Sequence, residues 1–209
     1  MKELEYFNLD AGRPSLSLIA DSMLSVGDEM ASFVRPRGTY AAAEDKSAVR
    51  YQGQQAEFVK AEDNLRLLGD VVLEQDGSIY RAQQITYFLK KDLVTGKGQV
   101  EVSHLHKKTG QQLVVSSDSF RGKPCAEWAN FQGDVKGVVR PKLRFQAPLR
   151  FQSQSLELKG LEGLVELRED VLVKRGEMDI TARNGDIFLE QANKKLKYFI
   201  LNDDVKVKE

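Results

Sequence analysis

Apolar and polar residues alternate along most of this chain, and a short recurring unit punctuates the alternation. The unit ends in Val and occurs five times, as Gly69-Asp70-Val71, Gly98-Gln99-Val100, Gly133-Asp134-Val135, Glu169-Asp170-Val171 and Asp203-Asp204-Val205. The valines lie 29, 35, 36 and 34 residues apart. Most of them begin an apolar or alternating stretch, which is typical of a strand with at least one buried face. The recurring unit therefore predicts a strand that starts after a turn.

A second recurring element lies between these units and consists of an apolar alternation that runs into a small residue. It occurs in Leu16–Ala20, Ile79–Ala82 and Met178–Ala182, so each repeat is expected to hold about three short strands. Asp76-Gly77 and Asn184-Gly185 are dipeptides that accept the positive φ angles of tight hairpins, and strand-like sequence flanks both. Both dipeptides are predicted to be hairpin turns.

The chain also repeats on a larger scale. An offset of 100 residues places Val71 on Val171 and Ala82 on Ala182, which suggests two similar halves. The run from Lys107 to Gly110 is typical of a turn. The predicted halves are therefore residues 1–107 and 108–209.

One segment, Gln54–Leu68, has the apolar spacing of an amphipathic helix. We expect a strand there, because the segment leads directly into Gly69 as the other repeats do, and an α+β domain with one helix is the alternative. Short antiparallel strands with no covering helix must bury their apolar faces against one another. The predicted fold class is thus all-β, an antiparallel β-roll or β-jellyroll of repeated short strands in two similar halves.

Such a stack of strands has two ends, each with unpaired backbone N–H and C=O groups that can pair with another chain. The predicted partner edges are the first strands, around Glu5 to Ala20 and including Leu16 and Leu18, and the last strand, which carries Val205 and Val207. The lysines of that last strand are equally consistent with simple protection against aggregation.

Composition narrows the classes of function. The 31 Lys and Arg residues balance the 31 Asp and Glu residues, and no basic block occurs, so nucleic-acid binding is not expected. Cys125 is the only cysteine, which excludes an intramolecular disulfide. No apolar run approaches the roughly 18 residues that span a membrane, and the first residues do not resemble a secretory signal.

Catalytic and metal-binding motifs are absent from the sequence. His104 and His106 are the only histidines; they would share one face of a strand, but no third ligand accompanies them. No P-loop, dinucleotide fingerprint or nucleophile elbow occurs. We expect no catalytic residue, no metal, no cofactor and no enzymatic activity.

The run Leu65–Val71, taken with Asp76–Ala82 and Ile85–Tyr87, resembles the LptA/LptC (OstA-like) family of lipopolysaccharide-transport proteins. Asp10–Ala20 is similar to the opening of the LptC periplasmic domain, in which polar and turn-forming residues precede an alternating strand. The chain from about residue 131 to residue 207 looks more like a second OstA-type module. The resemblance implies an LptC-like β-roll at residues 1–107 followed by an LptA-like β-roll at residues 108–209, although LptC usually carries an anchor and no second module.

This resemblance implies a function in outer-membrane biogenesis. In the family, β-rolls join edge to edge in a periplasmic bridge, and lipid A acyl chains pass through a shared apolar groove from the inner to the outer membrane. The implied partners are lipopolysaccharide and other β-roll Lpt components, namely an inner-membrane ABC transporter complex, an LptA-like bridge or an outer-membrane translocon. The implied location is the periplasm, with a tether to the inner membrane through an anchor outside this sequence. The alternative is a structural or adhesive β-repeat scaffold with a filled core and no lipid ligand.

The groove would be lined by apolar strand positions in both halves, and for each position an ordinary core residue is the alternative. The candidate lining residues are Leu18, Val71, Leu73, Ile79, Ile85, Tyr87, Val100, Val102, Val171, Val173, Ile180, Ile187 and Leu189.

Overall fold

The chain is all-β in a computed structural model, which describes residues 4–10, 13–26, 29–40, 48–59, 61–107, 109–123, 127–143, 146–190 and 196–208. Every strand pairing resolved within these residues is antiparallel, which confirms the predicted antiparallel β fold. The strands are β1 (Leu4–Asp10), β2 (Arg13–Ala20), β3 (Ser22–Val26), β4 (Met30–Val34), β5 (Arg37–Tyr40), β6 (Val49–Gln52), β7 (Gln55–Val59), β8 (Asn64–Gln75), β9 (Ser78–Phe88), β10 (Leu93–Leu105), β11 (Gln112–Lys123), β12 (Trp128–Arg140), β13 (Leu149–Lys159), β14 (Leu164–Arg175), β15 (Met178–Leu189), β16 (Leu196–Asn202) and β17 (Lys206–Lys208).

Helical structure in the described residues is limited to one 3-10 turn at Leu89–Lys91. Among those residues no helix is long and apolar enough to cross a membrane. The segment with helical spacing, Gln54–Leu68, forms β7 and the first part of β8, so the predicted strand is confirmed there and the α+β alternative is wrong.

The chain divides into two compact units, unit 1 (Met1–Gly98) and unit 2 (Gln99–Glu209), with the boundary inside β10. The predicted turn near Lys107 joins β10 to β11, and within it the Gly110 N–H donates to the His106 carbonyl at 2.8 Å. The assignment of residues 1–107 and 108–209 to an LptC-like and an LptA-like module stays a prediction.

Unit 1 consists of two half-sheets that share the long strands β8 and β9. One half-sheet contains the pairings β1–β2, β2–β5, β5–β6 and β6–β8, and the other contains β3–β4, β4–β7 and β7–β8. Tyr6 of β1 packs across the interior on Phe33 and Phe58 of the other half-sheet, with ring centroids 5.3 and 6.3 Å away. The core of unit 1 therefore lies between the two half-sheets.

Unit 2 repeats this plan with longer strands. β11 to β15 pair in sequence, each strand with the next, and β15 then pairs with both β16 and β17. The register of each of the four pairs from β11 to β15 shifts near its middle, as between Arg168 and Val171 in β14. Each long strand of unit 2 therefore contributes to two half-sheets.

The recurring units mark bends in the middle of strands. Gly69 and Asp70 both have positive φ, 73° and 46°, and the register sets both of them opposite Gln83 alone, because Leu68 faces Gln84 and Val71 faces Ala82. All five dipeptides that precede the recurring valines have this left-handed pair of φ angles. A bulge of two residues against one bends its strand, so the strand passes from one half-sheet to the other.

The predicted strand start after a turn is therefore wrong for these units. Four of the dipeptides lie inside a strand, and Asp203-Asp204 separates β16 from β17. The turn-forming residues produce a bend inside a strand and do not end it. The strands from β8 to β15 are each 11 to 13 residues long. The strands of this region are for the same reason longer than expected.

Hydrogen bonds connect neighbouring bends. The Gln54 N–H donates to the carbonyls of Leu68 and Gly69, both at 3.0 Å, and its Nε2 donates to Asp70 Oδ2 at 2.7 Å. In unit 2 the Arg183 N–H donates to the Asp203 carbonyl at 2.8 Å. The backbone groups that the bulges remove from the regular ladder thus find partners at the adjacent bend.

One of the two predicted hairpins is confirmed. Asp76 and Gly77, with φ of 49° and 80°, connect β8 to β9. Asn184-Gly185 lies inside β15, so its assignment as a hairpin turn is wrong. A Cβ on Gly185 would lie 2.7 Å from Leu201 Cδ2, which shows that this glycine makes room for a neighbouring side chain.

An aromatic ring covers a glycine at equivalent places in the two units. Tyr51 lies directly opposite Gly38, and its Oη donates to the Ser17 carbonyl at 3.0 Å; burial raises the pKa of this hydroxyl, which stays protonated. Phe151, 100 residues after Tyr51, lies directly opposite Gly137, where a Cβ would come within 1.9 Å of its ring. The 100-residue repeat is therefore a repeat of packing as well as of sequence.

We expect Gly38→Ala to destabilise unit 1 by about 3 kcal/mol or more, because the new Cβ would lie 2.0 Å from the Ser17 carbonyl oxygen. Gly176→Ala is the control, because its φ is 63° but nothing lies within 4 Å, so the cost should be about 1 kcal/mol of backbone strain. Urea unfolding followed by circular dichroism measures both. Equal costs for the two variants would contradict the packing explanation.

Candidate functional site

Most of the predicted lining residues face the interior of their unit. Ten of them are at most 7% exposed: Leu18, Val71, Leu73, Ile85, Tyr87, Val100, Val171, Val173, Ile180 and Ile187. Val102 and Leu189 are half-buried. These placements are those of core residues, and whether any of them contacts lipid stays a prediction.

Ile79 lies on the outer face, which corrects its assignment as a lining residue. It is directly opposite Glu74, and residues directly opposite each other in an antiparallel pair point to the same side. Its neighbour Tyr80 takes the inward position opposite Leu73. The two-residue hairpin at Asp76-Gly77 sets this register.

Several inward residues were not among the predicted lining positions. In unit 1 they include Phe33, Phe58, Leu65 and Leu67, each at most 1% exposed, and in unit 2 Phe131, Val135, Phe151 and Leu167, each at most 5% exposed. The signal was present, since these residues also alternate with polar ones. Leu65 and Leu67 share β8 with Val71, and Leu167 shares β14 with Val171, so the alternation was followed only after the bend on those strands.

The described interior of unit 1 is filled by side chains. Tyr40 and Tyr87, from different half-sheets, make an edge-to-face contact with ring centroids 5.4 Å apart. Leu16, Leu18, Leu67 and Ile85 have no measurable exposure. These side chains are buried and in contact as in an ordinary core.

The interior face of unit 2 is open to solvent at its last strands. Phe199 lies directly opposite Ile187, and Val207 directly opposite Ile180, so both point to the inner side. Phe199 is nevertheless half-buried and Val207 is 59% exposed. Leu201, also half-buried, reaches over Gly185 toward Val171. We call Phe199, Leu201, Val205 and Val207 the open apolar row.

The strand edges differ from the prediction at one end. β2, which carries Leu16 and Leu18, pairs with β1 on one side and β5 on the other, so these residues are not on an edge. Within the described part of unit 1, the outermost strands are β1 and β3. The outermost strand β1 falls in the predicted range around Glu5 to Ala20, but it pairs with β2 and so removes Leu16 and Leu18 from the edge.

The C-terminal edge of the sheet lies at the last strands, as the sequence predicts. Within the described part of unit 2, β16 and β17 pair only with β15. Val205 and Val207 are 48% and 59% exposed. Outside the interior, Phe188 stacks on Tyr198 with centroids 4.6 Å apart. This end therefore combines unpaired backbone with exposed apolar side chains.

The two histidines have different environments. His104 follows Val100 and Val102 on the inward side of β10 and is half-buried. His106 lies in the turn, where its Nδ1 accepts from the Thr109 N–H at 3.2 Å. No group of three or more His, Cys, Asp or Glu side chains in the described residues could hold a metal ion. Cys125 lies outside those residues.

Two surface cavities occur in unit 2. One of about 490 Å3 lies beside the bends of β14 and β17, between Asp170, Asp204, Arg183 and Lys206. The other, of about 400 Å3, lies across β11 to β14 and is bordered by Val138, Leu172 and several cationic side chains. Neither cavity is a deep pocket in the interior.

Comparisons with known proteins give matches among solved structures. No protein-family model matches the sequence, and no curated protein matches it. Among solved structures, the chain is similar to LptH from Pseudomonas aeruginosa, described as the LptA homologous periplasmic component of the lipopolysaccharide transport device, with a TM-score of 0.39 and 10% identity over 77% of this chain and 94% of LptH. These values are too low to transfer a ligand or a partner to this chain.

Burial lowers the pKa of His104, and the neighbouring His106 adds to the effect. The unfolded chain therefore binds a proton at higher pH than the folded chain, so stability should fall as the pH drops through the unfolded value of about 6.5. His104→Gln should remove this part of the pH dependence. Urea unfolding at neutral and mildly acidic pH measures it, and an unchanged slope in the variant would contradict the assignment.

Proposed function

We propose that this protein binds the acyl chains of lipopolysaccharide on the inner apolar face of its β-roll and passes them along a periplasmic bridge of similar rolls. The observation that carries the proposal is the open apolar row of unit 2. Phe199, Leu201 and Val207 point inward there without being fully buried, and Val205 beside them is 48% exposed. An inner face that lacks its own cover is suited to an apolar ligand.

The geometry of the open apolar row suits an extended ligand. Phe199 and Leu201 come from β16, and Val207 comes from β17, and all three lie beside buried residues of β15. An acyl chain on this row would therefore continue an existing apolar interior. Burial contributes about 0.8 kcal/mol per methylene, so a chain of about 12 carbons gains on the order of 10 kcal/mol as an upper bound.

The packed core of unit 1 limits where lipid can enter. A ligand there would have to displace side chains such as Leu67 and Ile85, which have no measurable exposure. We therefore propose that lipid first contacts unit 2, and that passage through unit 1 requires its half-sheets to separate.

Edge pairing with another β-roll is the second part of the proposal. In the part of the chain that the structure describes, β16 and β17 pair only with β15, and strand addition at such an edge would continue the sheet and cover the open apolar row. The partner proposed is another Lpt-type β-roll, and the location proposed is the periplasm, with a tether to the inner membrane. The resemblance noted in the sequence supports this choice of partner.

Photo-crosslinking can test the lipid path with adjacent residues of matched type. We expect a crosslinker at Phe199 to capture labelled lipopolysaccharide and one at Tyr198 not to, because Phe199 faces inward and Tyr198 faces outward. Val71 and its outward neighbour Val72 provide the same comparison in unit 1. Capture is read as labelled adduct on a gel.

The pattern of capture decides among the functions. Capture at Phe199 and Val71 supports a continuous path, and capture at Phe199 alone supports a lipid site confined to unit 2. Equal labelling of inward and outward residues, or no labelling at any of the four, would contradict lipid carriage. The filled core of unit 1 would then favour a scaffold without a lipid ligand.

The edge can be tested with lysine substitutions. Val205→Lys with Val207→Lys should weaken binding to a purified LptA-type β-roll at least about tenfold, because lysines on an edge strand oppose pairing. Leu161→Lys is the matched control, since Leu161 is 65% exposed in the turn between β13 and β14. Affinity is measured by biolayer interferometry. Equal loss in both variants, or no loss in either, would contradict a role for this edge.

A further inference from the structure

One pair of opposite charges in unit 1 is replaced by a pair of like charges in unit 2. In unit 1, Arg50 of β6 lies directly opposite Glu74 of β8, and the two side chains form an ion pair at 3.9 Å. The equivalent residues 100 positions later are Arg150 of β13 and Lys174 of β14, which also lie directly opposite each other. Like charges directly opposite on one face destabilise a sheet. The attractive pair of unit 1 has thus become a repulsive pair in unit 2.

Arg150 and Lys174 belong to a cationic face. The outer surface of this half of unit 2 presents rows of side chains in register across β11, β12, β13, β14, β15 and β17. Six of these side chains are cationic and one is a carboxylate, Asp179. The cations are Lys136, Arg140, Arg150, Lys174, Lys206 and Lys208. We call this set the basic face.

Internal pairing neutralises only part of the basic face. Lys136 pairs with Asp134 at 2.5 Å, and Lys174 pairs with Asp179. Arg140 donates only to the neutral Gln112 Oε1, at 3.3 Å, and Arg150 has no ion-pair partner among the described residues. Among the described residues, therefore, these two guanidinium groups form no ion pair, although the whole chain carries equal numbers of cationic and acidic residues.

The other outer surface of unit 2 shows the contrasting arrangement. There Glu166 accepts from Lys159 at 2.8 Å and from Arg168 at 3.1 Å, and Arg168 also pairs with Asp186 at 2.6 Å. The Glu166 carboxylate raises the pKa of Lys159. Charge is thus balanced on one outer surface of unit 2 and unbalanced on the other.

The basic face carries a cleft that is partly apolar. The cleft of about 400 Å3 lies on it, with Arg140, Arg150, Lys136 and Lys174 at its border and Glu101 as its one carboxylate. Val114, Val138 and Leu172 also line the cleft, each half-buried on the outer side. A ligand for this surface must supply several negative charges and tolerate apolar contact.

We propose that the basic face docks on the surface of a bilayer that contains anionic phospholipids. Phosphate groups would bind the two unpaired guanidinium groups, since the guanidinium fork matches phosphate oxygens. The other cations extend along one broad outer surface, from β12 to β17, as a planar array of headgroups requires. This docking is independent of the interior of the roll and of the lipid proposed to bind there.

The test is co-sedimentation of the full chain with vesicles. Vesicles of phosphatidylcholine and phosphatidylglycerol should bind the protein, and vesicles of phosphatidylcholine alone should not, with binding that weakens as salt is added. Each cation near an anionic surface contributes about 1 kcal/mol, so the variant Arg140→Gln/Arg150→Gln should bind about thirtyfold more weakly.

Two further variants separate charge from folding. Arg37→Gln/Arg50→Gln removes the same charge from the outer surface of unit 1 and should bind as the wild type does. Arg150→Glu places a carboxylate opposite Lys174, so its fold should be retained while vesicle binding falls. Equal binding to both kinds of vesicle, or wild-type binding by Arg140→Gln/Arg150→Gln, would overturn the proposal. Binding of polyglutamate without binding of vesicles would overturn it in favour of an acidic protein segment.

Discussion

The left-handed bulge at the middle of the long strands is the constraint on which the fold depends. Without it, an extended strand of a dozen residues would leave one apolar face of its sheet uncovered. The bulge turns each strand so that its two ends belong to different half-sheets, which then cover each other, as Tyr6 covers Phe33 and Phe58 in unit 1. Non-glycine residues in this conformation cost about 1 kcal/mol or more each, and glycine avoids that cost at Gly69, Gly98 and Gly133. At Glu169 and Asp203 the fold retains an acidic residue in the same conformation, and the Asp203 carbonyl accepts from the Arg183 N–H at 2.8 Å.

Sequence reasoning found these bends but assigned them the wrong role. Turn-forming dipeptides before valine recur because the bend recurs, and the positive φ angles that they accept are those observed. Local sequence does not distinguish a bend that continues the strand from a turn that ends it, since both use the same residues. The partner strand makes the difference: Gln83 and Arg183 lie opposite two residues each. Such long-range register is not visible in a single stretch of sequence.

The assignment of Ile79 to the inner face was wrong for a different reason. Val71 and Leu73 were placed correctly from alternation, but Ile79 was placed by its apolar character and not by counting. The two-residue hairpin at Asp76-Gly77 sets Gln75 opposite Ser78, so Leu73 must face Tyr80 and Glu74 must face Ile79. Tyr80, which is amphipathic, therefore faces the interior, and Ile79, which is aliphatic, faces outward. Counting through the hairpin would have given the correct face, because its turn chemistry was recognised.

The two units share one fold but differ in the exposure of their inward apolar residues and in the pairing of their charges. Val71 and Ala82 in unit 1, like Val171 and Ala182 in unit 2, form directly opposed inward pairs, and an aromatic ring covers a glycine in both. Unit 1 closes its described interior and pairs Arg50 with Glu74. Unit 2 leaves inward apolar residues exposed at its last strands and sets Arg150 against Lys174. Neither feature improves the stability of an isolated roll, since one exposes apolar surface and the other adds repulsion. Because the same fold achieves closure and charge balance in unit 1, the geometry of the roll does not force these features on unit 2, and binding of other molecules is the physical role that both of them fit.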